Sequence, residues 1–305
     1  MDGDLNPRSR REPAFRWVGL ILGAALVAAP AVASAASLDL FYERTVMSAA
    51  NGRCGLFTAQ VGSALEAARV QARGAALRAG AGRATLSATE QRARSRAATV
   101  ACDAPDLKLA ADRVRQAFDG YARLIRMDYP GDQAVWRADR SSSAMAARWR
   151  LAQDVRADGQ RMVFGLAGRE GSNALIAVAS FSDGDTPYAA RLIMRDARVT
   201  QGPFLDARGE ALARIPLPRR LSPNGAQTVF AAQARNPAGV DLKPKDMAQG
   251  WAFRFPPEAA WTLAALDPRE AVAVEFLFPD DTTRRIYVEV GDFAAGRAFL
   301  QLASR

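Results

Sequence analysis

The hydrophobic period of this chain changes once, near Pro130, and that change limits the folds open to it. Before that point apolar residues recur every three or four positions, the spacing of one helix face. After it they alternate, the spacing of a half-buried strand. A helical layer followed by an antiparallel sheet layer satisfies both patterns, so the expected fold class is α+β: an N-terminal helical bundle of three to four helices, then an antiparallel β-rich domain with a C-terminal helix.

From Leu38 to about Met127 the chain is rich in Ala, Leu, Arg and Glu, with almost no β-branched run. The clearest stripe is Leu107, Ala110, Val114, Phe118, Tyr121 and Ile125, with Arg113, Arg115, Arg123 and Arg126 largely off it. Asp103 as N-cap, Pro105 in the first turn and Tyr129-Pro130-Gly131 as the stop bound this helix. An earlier helix carries Phe57, Val61, Leu65, Ala68 and Ala72 on one face. Between the two, Ser87 and Glu90 have the spacing of a capping box, preceded by a turn at Gly80-Ala81-Gly82.

Beyond Pro130, strands are expected at 148–154, 161–166, 174–181, 190–195, 227–233, 251–255, 271–278 and 285–290. The last two form a hairpin turning at Pro279-Asp280-Asp281-Thr282, with Val272, Val274, Phe276 and Phe278 facing Ile286, Val288 and Val290. Asp292 caps a terminal helix that packs Phe293, Phe299, Leu300 and Leu302 on the sheet, and 256–266 suits a short helix. The proline-rich stretch from Gln201 to Pro223 reads as a long surface loop or an edge.

The first residues carry an export signal. Arg8, Arg10, Arg11 and Arg16 precede an uncharged run from Trp17 to Val32 that ends in small residues, and cleavage is expected after Ala35. The chain then divides into a signal peptide at 1–35, a helical domain at 36–129 and a sheet domain at 130–305, in a periplasmic or extracellular protein with no transmembrane segment after cleavage. An uncleaved segment anchored to the inner membrane is the alternative. In an oxidising compartment the only two cysteines, Cys54 and Cys102, are expected to form a disulfide closing a loop of about 48 residues.

The chain contains no histidine. That removes Ser-His-Asp and Cys-His nucleophile systems and His-ligated zinc, and no metal, cofactor or catalytic residue is assigned. Asp183-Gly184-Asp185 and Asp280-Asp281 read as turns. Glu170, Asp183, Glu275 and Glu289 are candidates for carboxylate catalysis by residue type, with Glu275 and Glu289 expected on the solvated outer face of the hairpin.

The formal net charge is +9, almost all of it arginine. Arg69, Arg73, Arg78, Arg83, Arg92, Arg94 and Arg96 cluster on two neighbouring helices and form the candidate binding surface for an anionic envelope component: lipid, lipopolysaccharide or glycan. No aromatics interleave with them, so nucleic acid is not the indicated ligand. The sequence thus points to an exported periplasmic or envelope-associated protein with a non-catalytic binding, scaffold or assembly role, acting on an anionic component or another envelope protein. The alternative is a carboxylate-dependent hydrolase of envelope glycan.

Overall fold

Alanine is the commonest buried residue of the N-terminal helices. The computed structural model describes residues 29–170, 173–203, 205 and 212–301, so the charged N-terminus, most of the uncharged run and Leu302 lie outside the described residues. Four helices precede the sheets: α1 (Ala29–Cys54), α2 (Ala59–Arg78), α3 (Arg83–Thr99) and α4 (Pro105–Arg123). α1 packs on both α2 and α3, and α2 also packs on α4. Ala50, Ala64, Ala68, Ala72, Ala76, Ala93 and Ala97 are all buried at these contacts. Thr58 caps α2 by accepting a hydrogen bond from the Val61 N–H. Cys54, the last residue of α1, is bonded to Cys102 in the turn between α3 and α4, with 5.6 Å between their Cα atoms.

Three helix-end expectations are corrected. Ser87 and Glu90 do not form a capping box: α3 begins four residues before Ser87, with Gly82 at its N-cap, so both lie within the helix. Asp103 is not the cap of α4, because Pro105 starts that helix directly after Ala104. The helix also ends before Ile125, which is exposed, because the chain has already turned into a strand at Arg126.

Eleven strands follow among the described residues. A seven-stranded antiparallel sheet has the order β1-β2-β3-β4-β5-β9-β8, built from β1 (Arg126–Pro130), β2 (Val135–Asp139), β3 (Arg148–Ala157), β4 (Gln160–Gly168), β5 (Ala174–Phe181), β9 (Trp251–Arg254) and β8 (Ala234–Pro237). A four-stranded antiparallel sheet has the order β11-β10-β6-β7, built from β11 (Thr283–Glu289), β10 (Ala271–Leu277), β6 (Ala189–Arg195) and β7 (Gln227–Ala231). Helix α5 (Pro257–Ala265) precedes β10, and α6 (Phe293–Leu300) follows β11. All eight expected strands are present; β1, β2 and β8 are additional.

The sheets bury one face of each in a shared core. Phe181 packs edge-to-face on Phe276 and Phe278, and Phe253 on Phe276, across the interface. The same core extends to Trp136, Phe293 and Phe299 around α6, and to Ala64 of α2 and Ala122 of α4. Tyr121 of α4 and Tyr129 of β1 share a hydrogen bond of 2.6 Å between their hydroxyls. The helical and sheet layers therefore meet in continuous packing.

Each outer sheet face carries an irregular segment. Met247 is buried in the segment that runs beside the outer face of the seven-stranded sheet. On the other sheet, short 3-10 turns occur at Leu212–Arg214, Leu217–Arg220 and Asn224–Ala226, and the second forms a strap over β10 and β11. This corrects the expectation of a surface loop at 201–223: Ile215, Arg220 and Ser222 are buried, because the arginine meets a carboxylate beneath it. Residues 204 and 206–211 lie outside the described residues.

Candidate functional site

The seven candidate arginines fall on α2 and α3, and the structure divides them. Positions 83 and 94 are about three helical turns apart and so share one flank of α3, whereas Arg92 and Arg96 lie on the other flank. Arg69 holds Glu66 in a bidentate pair of 2.6 and 2.8 Å, and Arg94 holds Glu90 at 2.7 Å. The hydrogen bond from Arg94, helped by the nearby charges of Arg69 and Arg73, keeps the Glu90 carboxyl below its ordinary pKa. The charges acting on Arg73 are Asp267, Glu90, Arg69 and Arg83. Arg69, Arg73, Arg83 and Arg94 thus form one group spanning the two helices, with Arg73 and Arg83 exposed. Arg92 donates to the Thr89 hydroxyl at 3.2 Å, and Arg96 is exposed.

Arg78 has a different position. Its guanidinium turns inward to both oxygens of Asp292 at the start of α6, where the carboxylate is buried. Asp292 occupies the N-cap position of α6 but makes no side-chain cap, because its oxygens serve Arg78.

Beneath this surface lies an ionic layer that the sequence did not reveal. Glu289, at the end of β11, is fully buried. Its carboxylate accepts backbone N–H bonds from Asp132 at 2.7 Å, Gln133 at 2.9 Å and Ala134 at 2.8 Å, so the β1–β2 turn forms an anion cradle filled by the protein's own side chain. Gly131 opens that turn because a Cβ there would overlap the Glu289 carboxylate. Arg220 of the strap, also fully buried, reaches Glu289 at 3.2 Å and Asp132 at 3.3 Å while donating to the Ile215 carbonyl at 3.0 Å. Its Nη2 and the Ser222 hydroxyl have no hydrogen-bond partner among the described residues. A second buried pair, Arg195 with Glu270 at 2.8 and 2.9 Å, fastens β6 to the start of β10.

These contacts correct the placement of the two hairpin acids. Glu289 is enclosed by the β1–β2 turn and the strap, and Glu275 is buried between Arg191 at 2.5 Å and Arg285 at 2.6 Å. Burial pushes the Glu275 carboxyl up, but the two guanidiniums outweigh it and hold the group below its ordinary pKa. Glu289 sits opposite Ala271 and Glu275 opposite Arg285, so four residues, about 13 Å of strand, separate the two acids along the hairpin. A retaining or inverting pair needs about 5–9.5 Å. Asp183 is paired with Arg284 at 2.5 Å in its turn, and Glu170 is exposed. The structure does not bring any two of these four acids together.

A surface depression, an open groove of about 830 Å³, crosses β1 to β4 beside Asp241–Pro244. Its floor alternates in charge: Arg126 pairs with Asp139 at 2.8 Å, and Asp128 stands opposite Arg137 in the β1–β2 register. Opposite charges on facing strand positions stabilise a sheet face, which accounts for these residues without a ligand. No group of three or more potential metal-ligating side chains occurs among the described residues.

No protein-family model, curated protein or solved structure matches this chain. The functional reading rests on the residues themselves. Asp132, Arg220, Arg195 and Glu270 were missed because their partners are 69 to 88 positions away, or 75 for the Arg195 pair, and no local spacing encodes such contacts. The Arg-Arg at 219–220 within a proline-rich segment was the only local signal.

Proposed function

We propose that this chain is an exported envelope protein with a non-catalytic binding or assembly role, and that it docks an anionic component on the arginine face of α2 and α3. One observation carries the reading: Glu66 and Glu90 are already held by Arg69 and Arg94, and Arg73 and Arg83 stand exposed beside them on a rigid helix pair. Guanidiniums carried on neighbouring helices suit phosphate or carboxylate groups, which they bind in bidentate fashion. The Cys54–Cys102 bridge, which holds this helix pair to α1, supports a site of action in an oxidising compartment.

The test is retention of envelope extract by the immobilised protein at low and high salt, compared with Arg73→Gln/Arg83→Gln. Arg78 is left intact because its partner is buried Asp292. Retention that falls with salt and with the double substitution is expected, since exposed charge contacts are screened within about 10 Å at 0.1 M salt. Retention indifferent to both would remove the arginine face as the dock.

A further inference from the structure

α5 begins almost directly after β9, because Pro257 cannot serve a strand ladder and suits the first turn of a helix. Phe255 donates its N–H to the Leu175 carbonyl at 2.9 Å, so the chain stays on β5 up to that turn. Trp261, one turn into α5, is 63 % exposed although Ala260 and Leu263 beside it are buried. α6 packs against α5, and its Arg297 lies over the Trp261 ring with Cζ 3.5 Å from the ring centroid. Between the two helices and the start of β5 is a pocket of about 260 Å³. One side of it is apolar, built from buried Leu166, Leu175 and Phe255. Among the described residues that line it, Arg254 and Arg297 carry the charge, and no carboxylate is present.

Other arginines drawn toward the interior are paired: Arg78 with Asp292, Arg195 with Glu270, Arg220 with Glu289 and Arg269 with Asp267. Arg297 is half-buried, yet its side chain makes no hydrogen bond or ion pair with a described residue, and burial alone acts on its guanidinium, lowering the pKa. The exposed Arg254 side chain likewise has no polar partner among the described residues. Stacking on an indole holds a guanidinium in place and leaves its N–H donors unspent. Donors in that fork take a carboxylate in bidentate fashion, and tryptophan beside arginine is the composition at which binding energy concentrates. An apolar cavity of about 150 Å³ holds benzene, so this pocket takes roughly ten non-hydrogen atoms. We infer that it binds a small carboxylate with an apolar body of about eight carbons, the carboxylate on Arg297 and Arg254 and the body against Leu166, Leu175 and Phe255. No described residue of α2 or α3 lines this pocket, so it is a second site, independent of the arginine face.

Octanoate is the probe, titrated into the full chain by calorimetry and followed at the Trp261 indole N–H resonance, the one missing from Trp261→Phe. Octanamide keeps the body without the charge, and acetate the charge without the body. Octanoate should bind saturably and shift the Trp261 resonance, with octanamide and acetate about tenfold weaker or worse. Arg254→Gln/Arg297→Gln should weaken octanoate by about tenfold or more, the loss that follows from removing charge-assisted hydrogen bonds. Arg254→Gln alone, at an exposed position, is the second variant and should weaken it severalfold with unchanged circular dichroism. No saturation by about 10 mM octanoate, octanamide binding as tightly as octanoate, or affinity unchanged in both variants would each overturn the inference. Arg73→Gln/Arg83→Gln should leave octanoate binding as it is. If that substitution abolishes it instead, the carboxylate sits on the α2–α3 face, and the pocket fails while the arginine dock stands.

Discussion

Arg220 and Glu289 meet with no exposed surface, and their energetics follow from what each would become alone. The three backbone N–H bonds fix the carboxylate, and the guanidinium above it offsets a charge that water cannot reach. Removing one partner of a buried pair costs about 3–5 kcal/mol, because the other stays buried and uncompensated. Arg220→Met is therefore expected to lower the urea unfolding free energy by about that amount, and an unchanged midpoint would show that the strap contributes little. The neighbouring acids add a pH dependence. Burial raises the Asp292 carboxyl above its ordinary value against the pull of Arg78, and burial together with Glu289 does the same to Asp132 despite Arg220 and Arg78. The folded protein keeps these protons at a pH where the unfolded chain, titrating near 3.9, has released them. Their contribution is present below that pH and declines as pH rises through the folded values. Asp132→Asn should flatten the decline in stability above about pH 4; an identical pH profile for variant and wild type would rule the group out.

At the scale of elements, the bridge and the strand irregularities do the placing. Cys54 and Cys102 close a loop that contains all of α2 and α3, the two helices bearing the arginine face. Chain entropy gives such a cross-link about 4 kcal/mol. Cys54→Ser/Cys102→Ser should lower stability by up to that amount in guanidinium unfolding, and a loss under about 1 kcal/mol would mean that helix packing alone fixes the pair. Gly165 lies beside the register shift of β3 and β4 between Trp149 and Leu151, where its φ of +153° and its close approach to the Leu151 carbonyl exclude a side chain. The eight strands expected from the sequence are all found, although β4 and β10 are buried along nearly their whole length rather than on alternate positions. β1, β2 and β8 were not expected, and β1 follows α4 so closely that Tyr129-Pro130-Gly131 reads as the end of a helix.

For the whole molecule, the continuity of packing from α2 and α4 through α6 to both sheets has a measurable consequence. The Tyr121–Tyr129 hydrogen bond, the Arg78–Asp292 pair and the contact of α2 with α6 all cross between the layers. One cooperative transition is expected, with helical circular dichroism and the fluorescence of buried Trp136 changing together. Two separated midpoints would show that the layers unfold independently. By itself the sequence determined the order of the layers, most strand positions, the disulfide and the concentration of arginine on α2 and α3, because periodicity and cysteine count are local or compositional properties. Only the tertiary structure decided that Arg78 belongs to the interior, that Glu289 and Arg220 are joined under a strap, and that Phe41 of α1 packs beside the α2–α3 turn. Each of those depends on which distant residue is near, and burial energy acts on that nearness without leaving a mark in the spacing of the chain.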